Sequence, residues 1–177
     1  MWISGKLDGK TRMPYPVSRC SGEHSAEGGK QMAVLNAKAE SFKKFVEKKD
    51  PKAFVVDPIE KDPLHTVVFR SHLTVDGTPL QLIVVLDDSA FGIIRVLLAP
   101  KALKDSNKAA LMDLLNDLNR TYKSFKFYLD KEESLILDTC VIFHDEHVDG
   151  NMMYALFQMI SKELDARYKD IMKTIWE

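Results

Sequence analysis

His144-Asp145-Glu146-His147 puts two imidazoles and two carboxylates into one short stretch, a donor set suited to zinc or another divalent transition metal. A metalloprotease HExxH places its histidines one helical turn apart on a single face, whereas these lie at i and i+3, between a strand-like run and a helical one. A solvated loop is the simpler reading, with Asp149 near the N-terminus of the next helix, where a carboxylate is favoured. His144 and His147 therefore stand as weak metal candidates. No metal, cofactor or catalytic residue is assigned. Asp87 and Asp88 are adjacent carboxylates at a turn. His65 follows a proline-marked loop, and His72 shares a strand face with Arg70 and Thr74, without a serine or cysteine partner that the sequence can identify. Cys140 alternates with Ile136 and Ile142, which predicts a buried, inert thiol. No glycine-rich phosphate loop occurs.

Composition narrows the function classes. With 177 residues, 45% hydrophobic and 29% charged, the chain can build one domain with a sizeable core plus a tail. Its formal net charge of -1 supplies no field to gather nucleic acid or anionic lipid. Neither nucleic acid nor membrane is an expected partner. Cys20 and Cys140 form no metal-like pair, the start Met1-Trp2-Ile3-Ser4 lacks a secretory apolar run, and Leu82 to Leu86 is too short to span a bilayer. A cytoplasmic location follows as the expectation.

Any chemistry or binding must be positioned by elements, and these begin late. Residues 1–31 are rich in Gly, Ser, Lys and Pro, without a helical or strand period, and read as a disordered tail. Glu27-Gly28-Gly29-Lys30-Gln31 stands directly before Met32, and codons for Glu-Gly-Gly can spell a ribosome-binding site. A start at Met32 and a flexible native extension both fit this tail. Leu35, Phe42, Phe45 and Val46 then predict a helix over Ala33 to Lys49, and Ala53 to Val56 is a loop or brief edge strand between Pro-marked turns. Strands are predicted over Thr66 to Val75, Thr78 to Asp87 and Phe91 to Leu98, the first two joined by Asp76-Gly77.

A second helix, Lys108 to Lys123, follows a cap in Asp105-Ser106-Asn107 and carries Leu111, Leu114, Leu115, Leu118 and Tyr122 on one face. Asn116 and Asn119 sit near its end, where side-chain amides can bond free carbonyls or the following loop. A hairpin, Phe125 to Asp130 and Ser134 to Phe143, precedes a final helix over Asn151 to Trp176, about 39 Å long at 1.5 Å per residue. The fold class is α+β: an antiparallel five-stranded sheet backed by helices, in the order α-β-β-β-α-β-β-α.

That order, together with Leu115-Asn116-Asp117-Leu118-Asn119-Arg120, Phe125-Lys126-Phe127-Tyr128-Leu129-Asp130 and Leu135-Ile136-Leu137, resembles the YbjN family. The resemblance covers roughly Met32 to Trp176. It implies a bacterial sensory transduction regulator of undefined molecular role, a fold like that of type III secretion chaperones, a tendency to dimerise and no established catalytic residues.

The residues point the same way. In the second and third strands both faces are apolar, with Leu82, Val84 and Leu86 opposed to Ile83 and Val85, so something must cover each face. In the last helix apolar residues spread beyond a narrow stripe, and Met152, Met153, Met159, Tyr168, Met172 and Trp176 are candidate protein-interaction residues. The expected function is a non-enzymatic, chaperone-like or regulatory protein acting by protein–protein interaction, as a homodimer with a further protein partner. The alternative is a small-ligand or metal-dependent enzyme using His144 to His147.

Overall fold

The helical and strand periods become three helices and six strands among residues 35–177, the part of the chain that the computed structural model describes. These residues lie within one unit, Met32–Glu177. The expectations for the tail and for a start at Met32 fall on residues outside the described ones. Helix α1 (Ala37–Lys49) opens on Asn36, whose side-chain oxygen accepts from the Ala39 N–H at 2.8 Å. The same amide donates to the carbonyls of His65 and Leu86 at 2.9 and 3.0 Å, so one cap also ties the helix to the sheet.

Strands β1 (Val55–Pro58), β2 (Val67–Val75), β3 (Thr78–Leu86), β4 (Phe91–Ala99), β5 (Lys126–Leu129) and β6 (Leu135–Ile142) form one antiparallel sheet in the order β1-β2-β3-β4-β6-β5. The β2–β3 turn is the predicted one: Asp76 and Gly77 take φ of 48° and 78°, the double positive dihedral of a two-residue hairpin. The sheet has six strands rather than the expected five. The segment read as a loop or brief edge strand pairs with β2 from Val55↔Arg70 to Pro58↔Val67, and Arg70 Nε donates to Asp57 at 2.6 Å. Pro58 is tolerated because the strand is short and lies at an edge.

Helix α2 (Lys108–Thr121) and helix α3 (Gly150–Trp176) join α1 on a single sheet face. Val67, Phe69, Leu82, Val84, Ile94, Val96, Leu135 and Leu137 point into that layer. Each fully buried Leu, Ile or Phe there contributes about 1.5–3 kcal/mol, against about 0.3–0.5 kcal/mol for a surface i,i+4 ion pair, so the apolar stripes decide how the helices dock. Asn107 begins α2, as the sequence suggested, but its side chain does not cap the helix. It accepts from the Lys104 N–H and donates to the carbonyls of Ala102 and Ile175 at 2.9 and 3.0 Å, fixing the start of α2 to the end of α3. Asp149 caps α3, accepting from Asn151 and Met152.

The length of α3 has an internal cause. Its buried stripe runs from Met153 through Ile160, Leu164, Tyr168 and Ile171 to Ile175. At its start Phe45 of α1 packs on Gly150 and meets the Tyr154 ring at 5.5 Å; at its end Lys104 donates to the Ile175 carbonyl and lies 4.2 Å from the Trp176 ring centroid. A Cβ at Gly150 would stand 2.1 Å from Cγ of Phe45, so the ring would have to move. Gly150→Ala should therefore destabilise the fold by about 1–3 kcal/mol, as overpacking does. Urea denaturation checks this: the midpoint falls, and an unchanged midpoint contradicts the packing.

Candidate interaction surface

Among the described residues no helix covers the sheet face opposite the core. The strand registers place its side chains in rows: Val68, Val85, Ile93 and Cys140 in one; Arg70, Ile83, Arg95, Asp138 and Lys126 in the next; His72, Gln81, Leu97, Ile136 and Tyr128 in a third. Ile83, Ile93 and Leu97 are half-buried there, and Val68, Val85 and Ile136 are buried among their neighbours. The face is mixed, with Ile83, Ile93 and Leu97 set among charged and polar side chains that run along its middle and third rows.

Arg95, Asp138 and Tyr128 form one connected group. Arg95 Nε and Nη2 donate to the two oxygens of Asp138 at 2.8 and 2.7 Å, the bidentate geometry that holds a guanidinium rigid, and the Tyr128 hydroxyl donates to Asp138 at 2.9 Å. The Arg95 and Asp138 side chains are 17% and 21% exposed. Breaking the pair should cost more than the ~0–1 kcal/mol of an exposed pair and less than the ~3–5 kcal/mol of a buried one. The hydrogen bond to Asp138 raises the Arg95 guanidinium further above its usual range. Burial, with the Asp138 charge beside it, pushes the Tyr128 phenol well above the usual tyrosine range. The group orients charge on this mixed face and keeps Tyr128 a donor.

The residues singled out from sequence fall in separate places. His144 and His147 sit in an exposed loop, where the His147 N–H donates to Asp145 at 2.8 Å and its Nδ1 lies 3.4 Å from the Ser41 hydroxyl. Among the described residues no three His, Cys, Asp or Glu side chains are grouped to hold a metal ion. Asp87 accepts from the N–H and hydroxyl of Ser89, as turn chemistry predicts, while Asp88 pairs with His65 at 2.6 Å in an exposed loop. Cys140 is exposed, not buried, because its face carries none of the described helices.

The candidates on α3 divide. Met153 and Tyr168 are buried in the core beneath the sheet. Met159 and Met172 are half-buried against that core. Met152 and Trp176 are 39% and 60% exposed, at opposite ends of the helix. Sequence reasoning missed Arg95, Asp138 and Tyr128 as a group. The signal was a lone charge inside each of two apolar strands, Phe91–Ala99 and Leu135–Ile142.

Because the folded protein raises the Tyr128 pKa above the ordinary 10.0, it favours the neutral phenol. That stabilisation is complete below the ordinary value and is lost as pH rises through the folded one. In ultraviolet titration, the tyrosinate signal that disappears in Tyr128→Phe should emerge above pH 10.0, and Asp138→Asn should move it down. Emergence at the ordinary value in the folded wild type contradicts this geometry.

No helix among the described residues is long and apolar enough to cross a membrane. No curated protein matches the chain. The sequence profile of YbjN, described as a putative bacterial sensory transduction regulator, matches residues 65–168. The match runs from the start of β2 through the sheet and α2 into α3, over more than half of the sequence, and on that extent the chain belongs to the YbjN family.

Proposed function

We propose that this protein is a non-enzymatic, chaperone-like regulator that acts by protein–protein contact, as a homodimer whose uncovered sheet faces receive an apolar surface of a partner protein. The observation that carries this reading is the face itself, where the half-buried Ile83, Ile93 and Leu97 stand beside the Arg95–Asp138–Tyr128 group. Apolar side chains supply affinity when covered, and a fixed pair of opposite charges beside them rewards one orientation of the partner. The family description names a regulator, which agrees with a binding role. No observation favours the metal-dependent alternative at His144 to His147.

Two measurements test this. Light scattering across a wide concentration range should give two chains per particle; one chain throughout overturns the homodimer. Leu97→Arg, at a half-buried position on this face, should weaken capture of a stoichiometric partner from native lysate about tenfold or more, equivalent to about 1.4 kcal/mol. Near-ultraviolet circular dichroism should stay native, and unchanged capture by the folded variant overturns the assignment of this face.

A further inference from the structure

Strand β6 is paired on both sides over only part of its length. Strand β4 follows it to Phe91↔Ile142, but β5 reaches no further than Lys126↔Asp138. In an antiparallel ladder the N–H and C=O of one residue point to the same side, and the sides alternate along the strand. The Phe143 N–H donates to the Ala90 carbonyl at 2.8 Å, on the β4 side. On the other side, Phe127 turns both its backbone groups to the Asn119 amide, at 2.8 and 2.7 Å, which leaves Lys126 facing Asp138. By this alternation Cys140 and Ile142 send their N–H and C=O groups toward a flank where, among the described residues, no strand lies opposite.

A groove of about 640 Å³ follows that flank, bordered by Lys123 and Ser124 at the approach to β5 and by Met152 and Leu156 of α3. Exposed apolar side chains gather beside it: Ile142 is 62% exposed and Phe91, its register partner, 53%. The two ends of the groove carry opposite charge. Lys123 and Lys126 lie at the β5 end, and Asp145 and Glu146 follow Ile142 at the other.

We propose that this edge is where two copies of the chain join, β6 against β6 about a two-fold axis through Val141. This rests on the homodimer reading above and names its interface. Antiparallel pairing about that axis sets Cys140 opposite Ile142 of the second copy, and the reverse. Both residues direct their backbone groups outward, so the reciprocal pairs make four main-chain hydrogen bonds without moving either strand. A small side chain then faces a large one on each side of the axis. The same symmetry carries the Asp145 and Glu146 end of each copy to the Lys123 and Lys126 end of the other, which satisfies both charge clusters twice. Met152 and Leu156 of the two copies close the groove from the helix side. Pairing also removes an unprotected strand edge, an aggregation template in an isolated chain.

The test uses the full chain carrying Cys20→Ser, with and without Ile142→Cys. The substitution places a thiol opposite Cys140 of the second copy, at the ~5.5 Å Cα spacing of a hydrogen-bonded pair, within disulfide reach. Mild oxidation should give a covalent dimer with Ile142→Cys, lost when Cys140→Ser is added. Ile142→Pro removes an N–H that points away from β4, a substitution an edge position tolerates, and should give single chains by light scattering with a native circular dichroism spectrum. A dimer that neither crosslinks nor responds to Ile142→Pro overturns the edge while leaving the homodimer standing. A wild type that is single-chained overturns both, and a crosslink only at concentrations where unrelated thiols also crosslink overturns the edge.

Discussion

Backbone groups left over at helix ends and strand edges must find partners once they are buried, and three asparagine amides meet that requirement here. Asn36 joins the start of α1 to the carbonyls of His65 and Leu86. Asn107 joins the start of α2 to the end of α3. Asn119 presents its amide to the N–H and C=O of Phe127 as another strand would, closing the outer edge of β5. Apolar stripes choose which faces meet, and these polar ties set where along the sheet each helix stops. An amide suits the task because it donates and accepts without carrying a charge into the core.

The consequence is a one-sided layering of the described residues. The three helices of the described residues lie over one sheet face, so alternate residues along the strands meet different environments. Facing the helices they are almost wholly Val, Leu, Ile and Phe; on the other side the same strands carry Arg70, Arg95, Asp138 and Tyr128 among Ile83, Ile93 and Leu97. The Arg95–Asp138 bridge spans β4 and β6, neighbouring strands brought together from distant parts of the chain, and it orients the polar group without help from any loop. Held this way, Arg95 and Asp138 have little side-chain freedom left to lose.

Much of this architecture was legible in the residues. The Asp76-Gly77 turn, the leucine face of α2 and the carboxylate of Asp149 each act through local chemistry, and each stands where the sequence put it. What the sequence withheld depends on which face a helix covers. Cys140 and Val141 are neighbours in a strand, yet one is exposed and the other buried, and alternation cannot say which parity meets the helices. Met152 and Met153 pose the same problem one turn into α3. Strand β1 ends in Asp57-Pro58 and was legible only as a loop or brief edge strand, because four residues leave no period to read. The Arg95–Asp138–Tyr128 group is assembled by register across three strands, and register is a property of the sheet rather than of any one segment.

The tie between Asn107 and Ile175 spans 68 residues of sequence, whereas the β2–β3 hairpin closes over a two-residue turn. Loop-closure entropy makes the hairpin cheap to form early and the long tie available only after the intervening chain is ordered. The N-terminal end of α2 is thus held by the far end of α3, and its final placement comes late in folding. Until the last turns of α3 are in place, the Asn107 amide lacks its Ile175 partner.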